Sequence, residues 1–190
     1  WMLAAYGPQR RLHGHGPAAL DLMKESSGVG SIITLFREDA SLAEATVWLR
    51  ELHFKGERAP IAPDRLIELL NDRLLPEGQV ARNLDDDGVL IVEDAGVALP
   101  LAQLSDGYRS VIALVFDIVY RLAHAYGPDA LHFERSAAGH LRLELPGVVL
   151  IDEPETHLHA SWQRKLGFWL VEHFPRLQFI VTTHSPFICQ

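Results

Sequence analysis

Two adjacent carboxylates, Asp152 and Glu153, directly follow four apolar residues at 148–151. An unbroken apolar run of this kind predicts a strand buried on both faces of a parallel sheet. Ligands of open α/β sheets bind at the carboxyl ends of such strands. There Asp152 could hold a hydrated Mg²⁺ ion, because magnesium prefers oxygen ligands and keeps several waters, and Glu153 could deprotonate an attacking water. Taken alone, the pair could also be a strand end with helix-capping acids.

A hydroxyl and a glycine, Ser105 and Gly107, stand where a long helix is predicted to begin. The unpaired N–H groups and the positive dipole end of a first helical turn attract anions. Gly107 would let a phosphate approach the backbone. Ordinary capping is the alternative and by itself the better explanation, with Ser105 as the N-cap and Asp106 complementing the dipole.

A histidine, His184, follows a second apolar run at 179–181. Between the two runs, Trp162, Leu166, Trp169 and Leu170 are spaced for one buried helix face from about residue 161 to 173. Strand, helix and strand over so short a distance form a parallel, right-handed βαβ unit. The unit predicts that His184 lies beside Asp152 and Glu153.

The preceding sequence supplies further elements around this unit. Residues 1–31 are interpreted as a loop and strand region. Residues 32–80 are interpreted as a helical insertion with two amphipathic helices, one capped by Asp39 or Ser41 and one opened by Pro63. Residues 81–190 are interpreted as the core, with a hairpin turning at 94–96 and a helix from Ser105 to about Tyr126. The predicted class is a three-layer α/β fold.

The composition of the chain limits the partners and the cellular location that can be expected. The chain of 190 residues has 17 basic and 25 acidic residues and a net charge of -8, which argues against broad attraction to nucleic acid or anionic membrane and leaves a local basic patch open. A single cysteine, Cys189, excludes an intrachain disulfide, and no apolar run is long enough for a membrane span. We therefore expect a cytoplasmic protein without a membrane partner.

The three motifs, in this order, resemble ABC-type ATPase heads of the branch that contains RecF, SMC and overcoming-lysogenization-defect proteins. Residues 104–107 resemble the signature motif, residues 148–159 the Walker B motif with its following loop, and residues 182–186 the switch-histidine motif. The resemblance is strong over 104–188 and weak over 17–98, and it implies a P-loop NTPase-like core. Residues 5–11 also resemble a stretch of bacterial members.

The resemblance implies ATP and Mg²⁺ as cofactors and a second protomer in a homodimer. Ser105 and Gly107 would contact the γ-phosphate of ATP held by that protomer, Asp152 would bind Mg²⁺ through water, Glu153 would be the catalytic base and His184 the γ-phosphate sensor. Asp106 departs from the familiar second glycine, which leaves the phosphate contact to Ser105 and Gly107. Members of the branch often work with a nuclease domain or partner, in DNA repair or antiphage defence.

No Gly-x-x-x-x-Gly-Lys-Ser/Thr motif occurs in the sequence. In the family this phosphate-binding loop precedes the signature, so we expect it upstream of Trp1 in a longer protein. The isolated segment is then expected to bind ATP poorly and to be inactive alone.

A second class of enzyme competes with this interpretation. Asp152, Glu153, His157 and His159 could together ligate a metal in a metal-dependent hydrolase or nuclease. The histidines flank Leu158 at a helix entry, without a further ligand at a fixed spacing, which disfavours this alternative.

Overall fold

The protein is described by a computed structural model for residues 1–8 and 43–189. Its helices and strands follow one another in the order β1 (Met2–Tyr6), α1 (Ala43–Lys55), α2 (Pro63–Asn71), β2 (Gln79–Leu84), β3 (Leu90–Asp94), β4 (Val97–Pro100), α3 (Asp106–Tyr126), β5 (Phe133–Arg135), β6 (Leu141–Leu143), β7 (Gly147–Asp152), α4 (Ala160–His173) and β8 (Leu177–Thr182). The predicted caps Asp39 and Ser41, and residues 9–11 of the stretch that resembles bacterial members, lie outside these described residues.

A parallel sheet with the order β1–β7–β8 carries the end of β7. The register pairs Tyr6 with Ile151, and Asp152 with Thr182. The β7–α4–β8 unit was predicted as a parallel βαβ step, and the α/β class is confirmed. β1 lies on the other side of β7, so the strand that ends in the acids is central among the described strands. Its residues alternate between buried and half-buried, so the burial on both faces that the apolar run predicted is only partial among the described residues.

The long helix α3 packs on this sheet through β1 and on α1 through its other side. Every residue from Ser110 to Val119 is buried, so the helix is covered all round rather than along one stripe. One buried carboxylate joins the layers: the Tyr6 hydroxyl donates to Asp117 at 2.8 Å, and Arg121 donates to the same oxygen at 3.1 Å. These bonds fix α3 against the strand that pairs with β7.

The remaining strands form two antiparallel units. β3 and β4 turn through Ala95 and Gly96, both at positive φ, as predicted for the hairpin, and β2 pairs with β3 on the other side. β5 and β6 form a short hairpin. Neither β2 nor the β5–β6 hairpin was predicted. The boundaries proposed at residues 32 and 81 stay a prediction.

Helix α2 is shorter than its apolar pattern suggested. It ends at Asn71, although Leu66, Leu70 and Leu74 continue the apolar spacing of a helix opened by Pro63. Arg73 adopts a left-handed backbone with φ 67, which stops the helix, and Leu74 is buried beyond its end. Within the described residues no helix has the length and apolarity that a bilayer crossing needs.

Candidate functional site

The two acids at the end of β7 differ in backbone conformation. Asp152 is the last residue of β7, and its carboxylate accepts a hydrogen bond from the Thr182 hydroxyl on β8. Glu153 has φ 47, in the left-handed region that residues with a Cβ rarely adopt, and its N–H donates to the Thr182 carbonyl at 3.0 Å. Such a conformation costs about 1–3 kcal/mol and is concentrated at functional sites. It turns the chain sharply at the edge where ligands of parallel sheets bind.

His184 meets Glu153 across the ends of β7 and β8. The His184 Nε2 atom lies 3.6 Å from the Glu153 Oε1 atom. The side chain of His184 is 90% exposed and that of Glu153 39% exposed, so both reach a surface open to a ligand. The structure therefore brings Asp152, Glu153 and His184 together, as their predicted strand ends required.

Glu155 holds the loop that carries His184, a contact that the sequence interpretation missed. Its Oε1 atom accepts hydrogen bonds from the backbone N–H groups of His184 at 2.7 Å and Ser185 at 3.1 Å. Burial opposes the charge of this carboxyl group, but hydrogen bonds from the Thr183 side chain and from these backbone amides outweigh it, and the pKa of Glu155 lies below its ordinary value. Glu155 is thus a charged anchor for the histidine loop.

Gln163 on α4 connects the same two loops from a second side. Its Nε2 donates to the Leu158 carbonyl at 2.8 Å, while its Oε1 accepts from the Ser185 hydroxyl at 2.6 Å. The loop after β7 and the loop after β8 are therefore tied to each other and to the first turn of α4.

Ser105 and Gly107 lie at the start of α3. Ser105 is the N-cap residue, but its exposed side chain makes no capping hydrogen bond. Capping alone therefore does not explain why position 105 carries a hydroxyl side chain. Asp106 forms an ion pair with Arg109 one turn along the helix.

Gly107 is buried against the loop that follows β7. A Cβ atom built on it would lie 2.5 Å from the His157 carbonyl oxygen, far closer than atoms can approach. Beside it, the rings of Tyr108 and Trp162 meet edge to face with their centroids 5.1 Å apart. The glycine thus has a packing reason in addition to any contact with a phosphate, and the first turns of α3 and α4 meet beside the acids.

The residues of the metal-hydrolase alternative do not assemble. His159 caps α4: its Nδ1 atom accepts from the Ser161 backbone N–H at 3.4 Å and lies 3.0 Å from the Ser161 hydroxyl. His157 is exposed, with φ 67. Across residues 1–8 and 43–189, no group of three or more His, Cys, Asp or Glu side chains is arranged to hold a metal ion. The geometry gives this alternative no support.

The donors at the strand end match magnesium instead. Asp152 offers carboxylate oxygen and Thr182 a hydroxyl oxygen, which are hard ligands. One carboxylate suits an ion that keeps most of its waters and takes further ligands from a phosphate.

Comparison with known proteins gives several matches. A family model described as "AAA domain, putative AbiEii toxin, Type IV TA system" matches residues 26–190. Retron Ec83 probable ATPase of Escherichia coli is 41% identical over 100 residues, which are 53% of this chain and 17% of that protein. Septu protein PtuA of Bacillus mycoides (strain KBAB4) is 29% identical over 171 residues, 84% of this chain and 22% of that protein.

The chain thus spans about a fifth of the length of these curated relatives. Among solved structures, a chain from a study titled "Structural biochemistry of ATP-driven dimerization and DNA stimulated activation of SMC ATPases" aligns with a TM-score of 0.46 and 18% identity, covering 76% of each chain. A head domain described as "SmcHead bound to the C-winged helix domain of ScpA" aligns with a TM-score of 0.39 and 17% identity, over 77% of this chain and 36% of that chain.

Proposed function

We infer that this chain, which belongs to the AAA-domain family described as "AAA domain, putative AbiEii toxin, Type IV TA system", supplies the water-activating part of an ATPase head. The family resemblance predicted from the sequence is thereby confirmed. The observation that carries the proposal is the meeting of Asp152, Glu153 and His184 at the ends of two parallel strands, with 3.6 Å between His184 Nε2 and Glu153 Oε1.

In the proposed reaction, water attacks the γ-phosphorus of ATP and the bond from this phosphorus to the β,γ-bridging oxygen breaks, which gives ADP and inorganic phosphate. Glu153, whose side chain is partly exposed at the strand end, orients this water and takes its proton. Asp152 would hold Mg²⁺ through its water shell, and the ion would supply positive charge against the phosphates. His184 contacts the γ-phosphate, so the position of its loop, which Glu155 anchors, depends on whether the γ-phosphate is present.

We further propose that two protomers share each ATP. Ser105, exposed at the start of α3 without a capping bond, would contact the γ-phosphate held by the second protomer, together with the backbone at Gly107. Helix N-termini favour such anions. Because no P-loop motif occurs in the sequence, the phosphate cradle is assigned to another part of the protein. By the family resemblance seen in the sequence, we also propose a role in antiphage defence or DNA repair beside a partner such as a nuclease. The single cysteine favours the cytoplasm as its location.

Glu153→Gln in the full-length protein tests the catalytic assignment. A glutamine keeps the size of the side chain but cannot take a proton, so ATP turnover should fall by about 100- to 10,000-fold, while ATP binding is retained. Turnover is measured by phosphate release and binding by equilibrium titration with a fluorescent ATP analogue.

Glu144→Gln is the matched control, because Glu144 is exposed and stands outside the site. Unchanged hydrolysis in the Glu153→Gln protein would remove Glu153 as the base. Weak hydrolysis by the unaltered protein, with tight ATP binding, would favour a nucleotide-gated clamp that barely turns over.

A further inference from the structure

A cleft of about 670 Å³ lies along α4, apart from the proposed ATP site. Residues of α4, the segment after α2 and the residue before β6 line it, and none of Asp152, Glu153, His184 or Ser105 does. Its volume falls in the range of ligand-binding clefts, about 300–1,000 Å³.

Positive charge is concentrated in this cleft although the chain carries a net charge of -8. Arg73, Arg164 and Lys165 line it, and in the described part of the chain no carboxylate forms a salt bridge with any of them. Two acids also line the cleft: Glu172 is already paired with Arg142 at 2.5 Å, which leaves Glu77 against the three cations. The cleft is therefore a local basic patch with cations available to an anionic ligand.

Arg73 is held in place rather than loosely solvated. Its left-handed backbone ends α2, and its Nη1 atom lies 2.8 Å from His140 Nε2. The other ring nitrogen of His140 lies 2.9 Å from an oxygen of Asp72. Burial opposes the charge of Asp72, but hydrogen bonds from the Leu141 amide and His140 keep its pKa below the ordinary value. A charged Asp72 accepts from His140 Nδ1, which leaves Nε2 to accept from Arg73.

An aromatic ring stands on the rim beside these cations. Phe168 is 69% exposed and lies one turn after Arg164 and Lys165 on the same helix. The buried Trp169 forms part of the inner wall, with its ring centroid 4.2 Å from that of His173. An exposed ring next to several cations is the combination that binds single-stranded nucleic acid, because phosphates meet the charges and a base stacks on the ring.

We propose that this cleft binds a short stretch of single-stranded nucleic acid. Arg73, Arg164 and Lys165 contact its phosphates, and Phe168 stacks on one of its bases. A duplex presents no unstacked base to Phe168, so single strands bind more tightly than double strands. This binding is separate from ATP hydrolysis and does not depend on the roles proposed for Asp152, Glu153 and His184.

The test is fluorescence anisotropy of labelled oligothymidine and oligouridine with the purified full-length protein, at two or more salt concentrations. Phe168→Ala should weaken binding by about tenfold, as expected for the loss of one stacked base. A plot of log affinity against log salt concentration has a negative slope. The double variant Arg164→Ala/Lys165→Ala should reduce the magnitude of this slope by about 1.4, because each lost phosphate contact removes about 0.7.

Phe54→Ala and Arg58→Ala are the matched controls. Phe54 is 63% exposed on α1, and Arg58 is an exposed cation, and neither lines the cleft. Since Phe168 and Lys165 are also exposed, their removal leaves the core intact. A cross-link between 5-iodouridine in the oligomer and the peptide containing Phe168 would support the assignment directly.

Tight binding of oligothymidine or oligouridine that the cleft variants weaken and the controls do not supports the proposal. The ratio of the two affinities shows whether the cleft prefers DNA or RNA. Absence of binding overturns it. Oligonucleotide binding that the cleft variants leave unchanged also overturns it. The same holds if Phe168→Ala leaves this binding unchanged and instead disrupts a complex with a protein partner.

Discussion

Glu155 is the residue that gives the histidine loop its position. One of its carboxylate oxygens accepts two backbone N–H groups, from His184 and Ser185. The pKa of Glu155 lies below the ordinary value of 4.5, because the hydrogen bonds of the folded state stabilise its charged form. Their contribution to stability is complete above about pH 4.5 and is lost as the pH falls through the lowered pKa. At neutral pH the anchor is permanently charged.

Glu155→Ala should lower the rate of ATP hydrolysis with a smaller effect on ATP affinity. Each hydrogen bond to a charged group contributes about 1.5–3 kcal/mol, so removing the anchor disfavours the ordered loop by about tenfold or more. The expected result is a fall in kcat of about tenfold, measured by steady-state phosphate release. Glu155→Gln, which keeps an acceptor oxygen, should recover part of the rate.

Glu144→Ala serves as the control for loss of an exposed carboxylate. Equal kcat values for Glu155→Ala and this control would show that the loop keeps its position without the anchor. A large fall in melting temperature for Glu155→Ala would point to a structural role instead.

At the scale of elements, the first turn of α3 fits closely on the loop after β7. Gly107 is the contact point, because a Cβ atom there would lie 2.5 Å from the His157 carbonyl oxygen. The obstacle is backbone, which cannot swing aside as the end of a side chain can. The helix and the loop must therefore move apart to admit any larger residue.

Gly107→Ala should destabilise the fold by about 1–3 kcal/mol through overpacking. Gly167→Ala is the matched control in α4, since nothing lies within 4 Å of its Cβ position. There alanine should stabilise the helix by up to about 1 kcal/mol. Urea unfolding measures both. If the two variants have the same free energy of unfolding, the close approach of α3 to the loop is wrong.

Local patterns explain which elements could be predicted. The apolar run before Asp152 and the helical spacing of Trp162, Leu166 and Trp169 are local, and both elements form as expected. The strands β5 and β6 have three residues each, too few for alternation to be recognised. The end of α2 at Asn71 depends on the left-handed conformation of Arg73, and no Gly or Pro signals it.

The candidate site was predictable only in part for a related reason. Asp152, Glu153 and His184 each follow an apolar run, so strand pairing brings them together. Glu155 reaches the backbone N–H of His184, 29 residues further along the chain, and a backbone donor leaves no trace in the residue type at position 184. The packing of Gly107 on His157 likewise depends on tertiary structure alone.

For the whole molecule, α4 joins the two proposed sites. Its first turn binds both loops of the ATP site through Gln163, and residues further along it line the basic cleft. Arg164 lines that cleft, and its guanidinium carbon also lies 5.2 Å from the centre of the Phe187 ring, just beyond the histidine loop. The loops of the proposed ATP site and the basic cleft are thus joined by one helix.

The outer edge of β8 has a consequence for the behaviour of the chain in solution. β8 pairs with β7 on one side, and among the described residues no strand pairs with its other side. Ile180 is 49% exposed and Val181 39% exposed, and these neighbours point to opposite faces. An apolar strand with unpaired backbone groups is a template for edge-to-edge aggregation. Ile180→Lys should therefore reduce concentration-dependent self-association of the 190-residue chain in sedimentation velocity, whereas Gln178→Lys, at an already polar position, should change it less.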